Sequence, residues 1–416
     1  MPLCNLIHSA GAPKARFRVI AAMLAVGMIS AGCSSASSSS SATSQPSGPL
    51  KIGVILPLSG SQAALGFDSK LGVEAAANQL NAQGGVLGRK IDLIMLDDAN
   101  EPTNAAADAR EAIQDGVAAV FGDIQTANVA AEAALLGQAK IPVFTSATGT
   151  NLWTGTYPYL FGSGDKSSYM TVADTGYVVK QLDISDVGII YQDDAFGLPS
   201  EQANAASLAS FGLKPKAVEA FPDTATDVTA QLNSLKSAGV KAVFAWTYGP
   251  GLVAVARGMQ SIGWHPPTIT DTGLSQAAVV TGAGAGNLAN FYGGPIVKNF
   301  LSETPNGPAA PATSLFTSYF RKVFGSSPFD GQQIAASEAY DAIIILAQAM
   351  QLAHSAAGPA IVAAIESGHT FTGARTTYIF SPTEHVGENV NNLSLFKGGL
   401  ACNVTCLAAP GVSLGS

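Results

Sequence analysis

The chain has 416 residues, a formal net charge of −8, and 12% charged against 47% hydrophobic side chains. So low a charged content leaves a surface rich in small and uncharged polar residues, with enough apolar material for full cores. No Lys/Arg stripe follows the N-terminal segment, so a nucleic-acid partner is not expected, and the length beyond residue 49 suits two ordinary domains.

Residues 1–32 read as an export signal. Lys14, Arg16 and Arg18 precede an apolar run from Val19 to Gly32 that is too short to span a bilayer. The run ends Ile29-Ser30-Ala31-Gly32-Cys33. Small residues before a cysteine are similar to a bacterial lipobox, which implies a lipid on Cys33 and a membrane anchor. Ser30 departs from that pattern, which prefers a leucine-like residue there, and a plain secretory signal is the other reading. Residues 33–49 are serine-rich and read as a flexible tether.

Lys51 to Leu56 predicts a buried parallel strand. Gly66 to Gln83 carries helical spacing that stops at Gly84-Gly85, and Ile91 to Leu96 predicts a second strand closed by Asp97-Asp98. Strand, helix, strand is the unit of a parallel sheet. A helix is expected over Ala105 to Gln114 after Pro102, a strand over Val117 to Phe121, a helix over Ala127 to Lys140 and a strand over Ile141 to Phe144. Two polar loops, around Thr126 and over Thr145 to Thr150, then fall at the carboxyl ends of neighbouring strands, where open α/β sheets bind ligands.

Phe161 to Asp165 reads as a crossing segment, after which the alternation restarts. Strands are expected at Val187 to Tyr191, Lys216 to Phe221, Val240 to Trp246 and Thr268 to Thr270. Helices are expected at Pro199 to Ser210, Asp227 to Ser237 and Leu252 to Ile262. Gly282 to Gly286 lacks dinucleotide-binding context and reads as a flexible turn. Near the C-terminus, Cys402 and Cys406 fit a disulfide in an exported protein, with free thiols as the alternative. A lone cysteine pair without a neighbouring histidine is only half a zinc shell, so no metal is expected.

The ordered text from Lys51 to about Val120 carries more than its pieces: the IGV strand, Pro57-Leu58-Ser59-Gly60, Leu80-Asn81-Ala82-Gln83-Gly84-Gly85, Val86-Leu87-Gly88-Arg89-Lys90 and the Asp97-Asp98 pair. It resembles the branched-chain amino-acid binding proteins of ABC transporters. The resemblance implies an α/β fold of two Rossmann-like lobes with parallel sheets and a three-segment hinge, the type I periplasmic-binding fold. Lobe one would comprise residues 50–163 and 298–383, and lobe two residues 164–297 and 384–416. The chain would cross back near Val297 to Phe300, add helices at Pro311 to Phe324 and Ser337 to Ala353 to lobe one, and cross again near Ser381 to Asn391.

An α-amino acid needs helix-start amides and hydroxyls for its carboxylate, a carboxylate for its ammonium and an apolar wall for its side chain. Thr126 stands just before a helix, and Ser146 offers backbone groups. By resemblance, Ala147 and Thr148 grip the carboxylate and amine, while Tyr248 and Phe196 form the wall. The family's ammonium-binding glutamate is replaced by Thr272, with Asp271 one residue earlier as the substitute charge. If Asp271 does not serve, amides, urea-like compounds, hydroxylated acids and aromatic acids stay open as ligands. Trp153 and Trp246 read as packing residues.

There is no phosphate loop, HExxH or GxSxG, and His265, His354, His369 and His385 are scattered. The expected protein is therefore a non-enzymatic, cofactor-free and monomeric binder outside the cytoplasm. It would deliver a small molecule to the transmembrane subunits of an ABC permease, or sense such a ligand for a membrane receptor.

Overall fold

The structure, a computed structural model, describes residues 48–297, 300, 307–324, 333–388, 393–399 and 408–410. Cys33, Cys402 and Cys406 lie outside the described residues.

The apolar run ending at Leu56 is the heart of β1 (Leu50–Leu56), buried along nearly its whole length. It lies between β2 (Ile91–Asp97) and β3 (Ala119–Phe121), with Ile52 opposite Leu93 on one side and Ala119 on the other. With β4 (Val143–Thr145) and β5 (Leu160–Gly162) they form a parallel sheet in the order β2-β1-β3-β4-β5. Helices α1 (Ala63–Ala82), α2 (Pro102–Asp115) and α3 (Thr126–Gln138) make the crossovers. The local sequence sets their ends: α2 has proline in its first turn and stops at Gly116, whose φ of 70° is left-handed. The sequence reading of Phe161 as part of a crossing needs correction, because it is the middle of β5 and only the residues after Gly162 leave the sheet.

The chain then enters a second sheet through α4 (Ser167–Gly176), a helix that the sequence reading did not place. Strands β6 (Val187–Gln192), β7 (Ala217–Phe221), β8 (Ala242–Trp246) and β9 (Thr268–Thr270) alternate with α5 (Gly197–Ser210), α6 (Thr229–Ser237) and α7 (Gly249–Ser261). Helix α8 (Ala277–Ala283) follows, then β10 (Phe291–Val297). Gly284, at φ 85°, separates α8 from a short 3-10 turn over Ala285–Leu288, so the glycine-rich stretch is a helix end rather than a loose turn. Trp246 is fully buried in β8, and its indole N–H donates to Asn204 Oδ1.

The chain returns through α9 (Ala310–Phe324), α10 (Gln333–Ala353), α11 (Gly358–Ile365) and a hairpin of β11 (Thr370–Thr372) and β12 (Thr377–Ile379). Helix α10 packs along α1, on the first sheet's side. Residues 381–388 then run beside β5: Gly162 N–H donates to His385 O at 2.8 Å, and the His385 ring stacks on Phe161. The last strand among the described residues, β13 (Leu393–Lys397), lies antiparallel to β10 and completes the order β13-β10-β9-β8-β6-β7. The order of the described elements takes the chain from one sheet to the other three times, and two struts tie the first and third of these segments together: the His385 ring on Phe161, and Lys166 Nζ to Glu384 at 2.7 Å.

The α1–α10 contact depends on one glycine. A Cβ at Gly72 would lie 1.9 Å from the Ala336 carbonyl oxygen, in a neighbouring backbone that has no rotamer to yield. Gly72→Val is expected to lower unfolding free energy by about 1–3 kcal/mol, read from the urea midpoint. A variant as stable as the parent would mean that the helices separate freely.

Candidate functional site

The carboxyl ends of both sheets face one cavity. From the first sheet's side it is lined by Gln62 and Leu65 at the start of α1, Ile124, Gln125 and Thr126 at the start of α3, Ser146 and Thr148 after β4, and Ile334, Ala335 and Glu338 of α10. Asp165 lines it from the first crossing. Met170, Phe196, Tyr248, Asp271, Thr272, Gly273, Ser275 and Gln276 close the other side. Its volume is about 80 Å³. On that measure one water needs ~10–15 Å³, so the space matches a solute of amino-acid size.

Seven of the eight residues singled out from sequence meet here: Thr126, Ser146, Thr148, Phe196, Tyr248, Asp271 and Thr272. Ala147 does not line the cavity. It is buried in the apolar cluster beneath β4, and its N–H donates to Thr145 Oγ1 at 2.9 Å, so neither its side chain nor its amide is presented to a ligand.

Each lining group has a local cause. No side chain caps the N-terminus of α3, so its first amides and the positive end of its dipole are left for an anion. Thr126 is the first residue of that helix rather than its cap. It sits so close to Gly149 that a Cβ there would lie 2.4 Å from Thr126 Cγ2. The Thr148 loop is pinned because its carbonyl accepts from both the amide and the hydroxyl of Ser167, each at 2.8 Å.

On the other side, Tyr248 and Phe196 pack edge to face, 5.7 Å between centroids. The Tyr248 hydroxyl donates to Asp194 Oδ2 at 2.8 Å, and Gln192 Nε2 donates to the same oxygen. The other Asp194 oxygen accepts from the Phe196 and Gly197 amides, which fixes the turn into α5. Tyr248 therefore offers its ring to the cavity while its proton is committed, and burial and the adjacent Asp194 push its pKa upward.

Asp271 caps the short 3-10 turn Thr272–Ser275, its Oδ1 accepting from Gly273 N–H at 2.9 Å. That leaves Oδ2 for the cavity. Burial raises the carboxyl to about 7, with the Gly273 amide working in the opposite sense.

The sequence reading missed a second acidic group. Arg375, fully buried behind the cavity, donates to Glu338 Oε1 at 2.8 Å and lies 3.3 Å from Asp165 and 3.4 Å from Glu388. Three carboxylates thus share one guanidinium. Asp165 Oδ1 and Glu388 Oε1 have no hydrogen-bond donor. Burial raises Glu338 to about 8, Arg375 pulling it down while Asp165 and Asp341 push it up. Asp174 of α4 is buried nearby with both oxygens unpartnered, and burial followed by Asp165 and Asp271 raises its pKa strongly. A sequence signal for Glu338 existed: it and Asp341 are acids inside the otherwise apolar run of α10.

Two α/β lobes with one polar cavity between their carboxyl edges define a ligand-capturing protein of the type I periplasmic-binding fold. The chain belongs to the periplasmic binding protein family, whose model matches residues 49–397. It is similar to the Leu/Ile/Val-binding protein homolog 8 of Brucella abortus, 26% identical over 295 residues that cover 68% of this chain and 72% of that protein. A type 1 periplasmic binding protein from Bordetella pertussis is 27% identical, with a TM-score of 0.75 over 84% of this chain and 96% of its own. The branched-chain amino-acid transporter substrate-binding protein LivJ of Streptococcus pneumoniae, solved with isoleucine, shares the fold with a TM-score of 0.74 at 22% identity, over 86% of this chain and 98% of its own. The protein is therefore a binding protein rather than an enzyme, of the kind that works outside the cytoplasm.

Proposed function

We propose that this protein is the solute-binding component of an ABC importer and captures an amino acid or amino-acid-like compound between its lobes. The observation that carries the reading is the cavity itself: helix-start amides and the Thr126 and Thr148 hydroxyls on one side, and the Asp271 carboxylate with the Phe196–Tyr248 wall on the other. A carboxylate suits the first set and an ammonium suits Asp271. In this reading lobe one is residues 50–163 and 298–383, lobe two is the remainder after residue 163, and closure about the three crossings stabilises the ligand-bound form. Lipidation of Cys33 would hold the protein at the membrane beside its permease.

The test is calorimetric titration with leucine, alanine, glutamine, lysine and acetamide. Thr148→Ala and Asp271→Asn are each expected to weaken amino-acid binding roughly tenfold or more, the loss of about 1.5–3 kcal/mol that follows removal of a hydrogen bond to a charged group. Tight binding of acetamide with no response to any amino acid would overturn the amino-acid reading and leave the fold unaffected.

A further inference from the structure

The charge around the cavity is lopsided. Asp165, Asp271 and Glu338 line it, and among the described residues no lysine, arginine or histidine does. Arg375 does not redress this, because it is wholly buried behind the wall and already faces Glu338, Asp165 and Glu388. A zwitterionic amino acid brings one ammonium, which Asp271 meets. On the opposite wall Glu338 and Asp165, with Glu388 behind them, have the single guanidinium of Arg375 among the three. Asp165 is 2% exposed, lines the cavity, and has one oxygen that receives no hydrogen bond.

Resting on the amino-acid reading above, we infer that the cavity holds a second cation-binding position, formed by Glu338 and Asp165, and that the preferred ligand carries a second positively charged group. Glu338 and Asp271 are separate positions. Glu338 projects from α10 and is perturbed by Arg375, Asp165 and Asp341, whereas Asp271 stands at the end of β9 and owes its raised pKa to burial. Glu338 holds one side-chain oxygen on Arg375 and takes a hydrogen bond from Ser146, so its place on the cavity wall is fixed. An aliphatic ligand spanning the cavity would put one ammonium at each acid, and the apolar Leu65, Ile124, Met170 and Ile334 suit the methylenes between them. Raised to about 8 when the cavity is empty, Glu338 is largely protonated at pH 7. An ammonium placed there favours its ionised form, so the carboxyl gives its proton to the buffer as the ligand binds.

The experiment compares lysine, norleucine, putrescine and butylamine by titration calorimetry of the full-length chain at pH 7, in two buffers of different ionisation enthalpy. Lysine and norleucine share a carbon chain and differ by the distal ammonium. Lysine is expected to bind at least tenfold tighter than norleucine and to release about one more proton. Glu338→Gln should reduce the lysine-to-norleucine ratio to near one and remove that extra proton. The proton difference is measured on the unsubstituted protein, so the inference is tested even if the variant folds poorly. Norleucine binding as tightly as lysine, or equal proton release, overturns the second position and leaves the amino-acid reading intact. Putrescine binding well above butylamine, with neither amino acid bound, supports the position and overturns the amino-acid reading. Binding of none of the four overturns the second position and leaves the amino-acid reading to the leucine, alanine and glutamine titrations.

Discussion

Replacing Arg375 with methionine is expected to cost about 3–5 kcal/mol of folding stability. The side chain is fully buried and is the partner of Asp165, Glu338 and Glu388, which are drawn from the first crossing, α10 and the third crossing. Methionine keeps much of the apolar stem and removes the charge. Asp165, Glu338 and Glu388 would then stand in the interior with no counter-ion, and each would have to hold a proton, as burial already favours at Glu338 and Glu388, or admit water. The backbone would feel the change as well: the Ala374 and Arg375 amides both donate to Asp341, which also accepts from the Tyr378 hydroxyl at 2.8 Å. Urea unfolding at pH 5 and pH 8 checks this, with the larger loss expected at pH 8, where protonating the orphaned acids is harder. Adding Glu388→Gln to Arg375→Met should recover part of the loss, because it removes one of the unpaired charges. A loss below ~1 kcal/mol at pH 8 would show that the three acids have another counter-charge, since the removal of one partner from a buried pair is normally severe.

The ligand-free protein should lose stability steadily as the pH rises from about 4.5 towards 8.5. Glu338 is raised to about 8, Asp271 to about 7 and Asp341 to about 6, in each case first by burial. In the unfolded chain such groups titrate near 4. Between those limits the folded state holds protons that the unfolded state has released. The stability these groups contribute is therefore present below about pH 4 and is lost as the pH climbs through each folded value, with a limiting slope of ~1.4 kcal/mol per pH unit per group. Glu384 acts in the opposite sense. Burial works against its charge, but the bonds from Lys166, the Val386 amide and Tyr169 outweigh it and hold the pKa below the ordinary value. Its contribution is present above the unfolded pKa and fades as the pH falls below ~4. Thermal melting from pH 4.5 to 8.5 checks the set. Glu338→Gln should reduce the slope from pH 4.5 up to about 8 and leave the curve flat above pH 7, and Asp271→Asn should reduce the slope from pH 4.5 up to about 7. A melting temperature that is level or rises from pH 5 to 8 would contradict these raised values.

Much of the architecture was legible locally. A short apolar run bounded by proline or glycine, such as Ile52 to Leu56, predicts a buried strand whatever surrounds it. Short elements were harder. β5 has three residues, and its pairing with β4 makes Phe161 part of a strand that no periodicity could reveal. Helix α4 was missed because Ser-Ser-Tyr-Met-Thr-Val-Ala-Asp-Thr-Gly has weak propensity. Contacts with α5 accompany it, including the Ser207 hydroxyl donating to the Thr171 carbonyl at 3.1 Å. β13 joins β10 across nearly a hundred residues of intervening chain, a pairing set by topology rather than by local sequence.

The sequence by itself determined the alternation of strands and helices and the small hydroxyl loops at the strand ends. Strand burial, helix ends and turn chemistry depend on near neighbours, which also brought Thr126 forward, whereas Thr148, Tyr248 and Asp271 came forward through the resemblance to branched-chain amino-acid binding proteins. Only the tertiary structure decided what those loops face. It turned Ala147 into the core because Thr145 captures its amide, and it aimed the Tyr248 proton at Asp194. It also gathered Asp165, Glu338, Arg375 and Glu388, separated by up to 223 positions, into one buried charge cluster. Their pKa values and the cavity's acidity follow from distance and desolvation, quantities that exist only once the chain has folded.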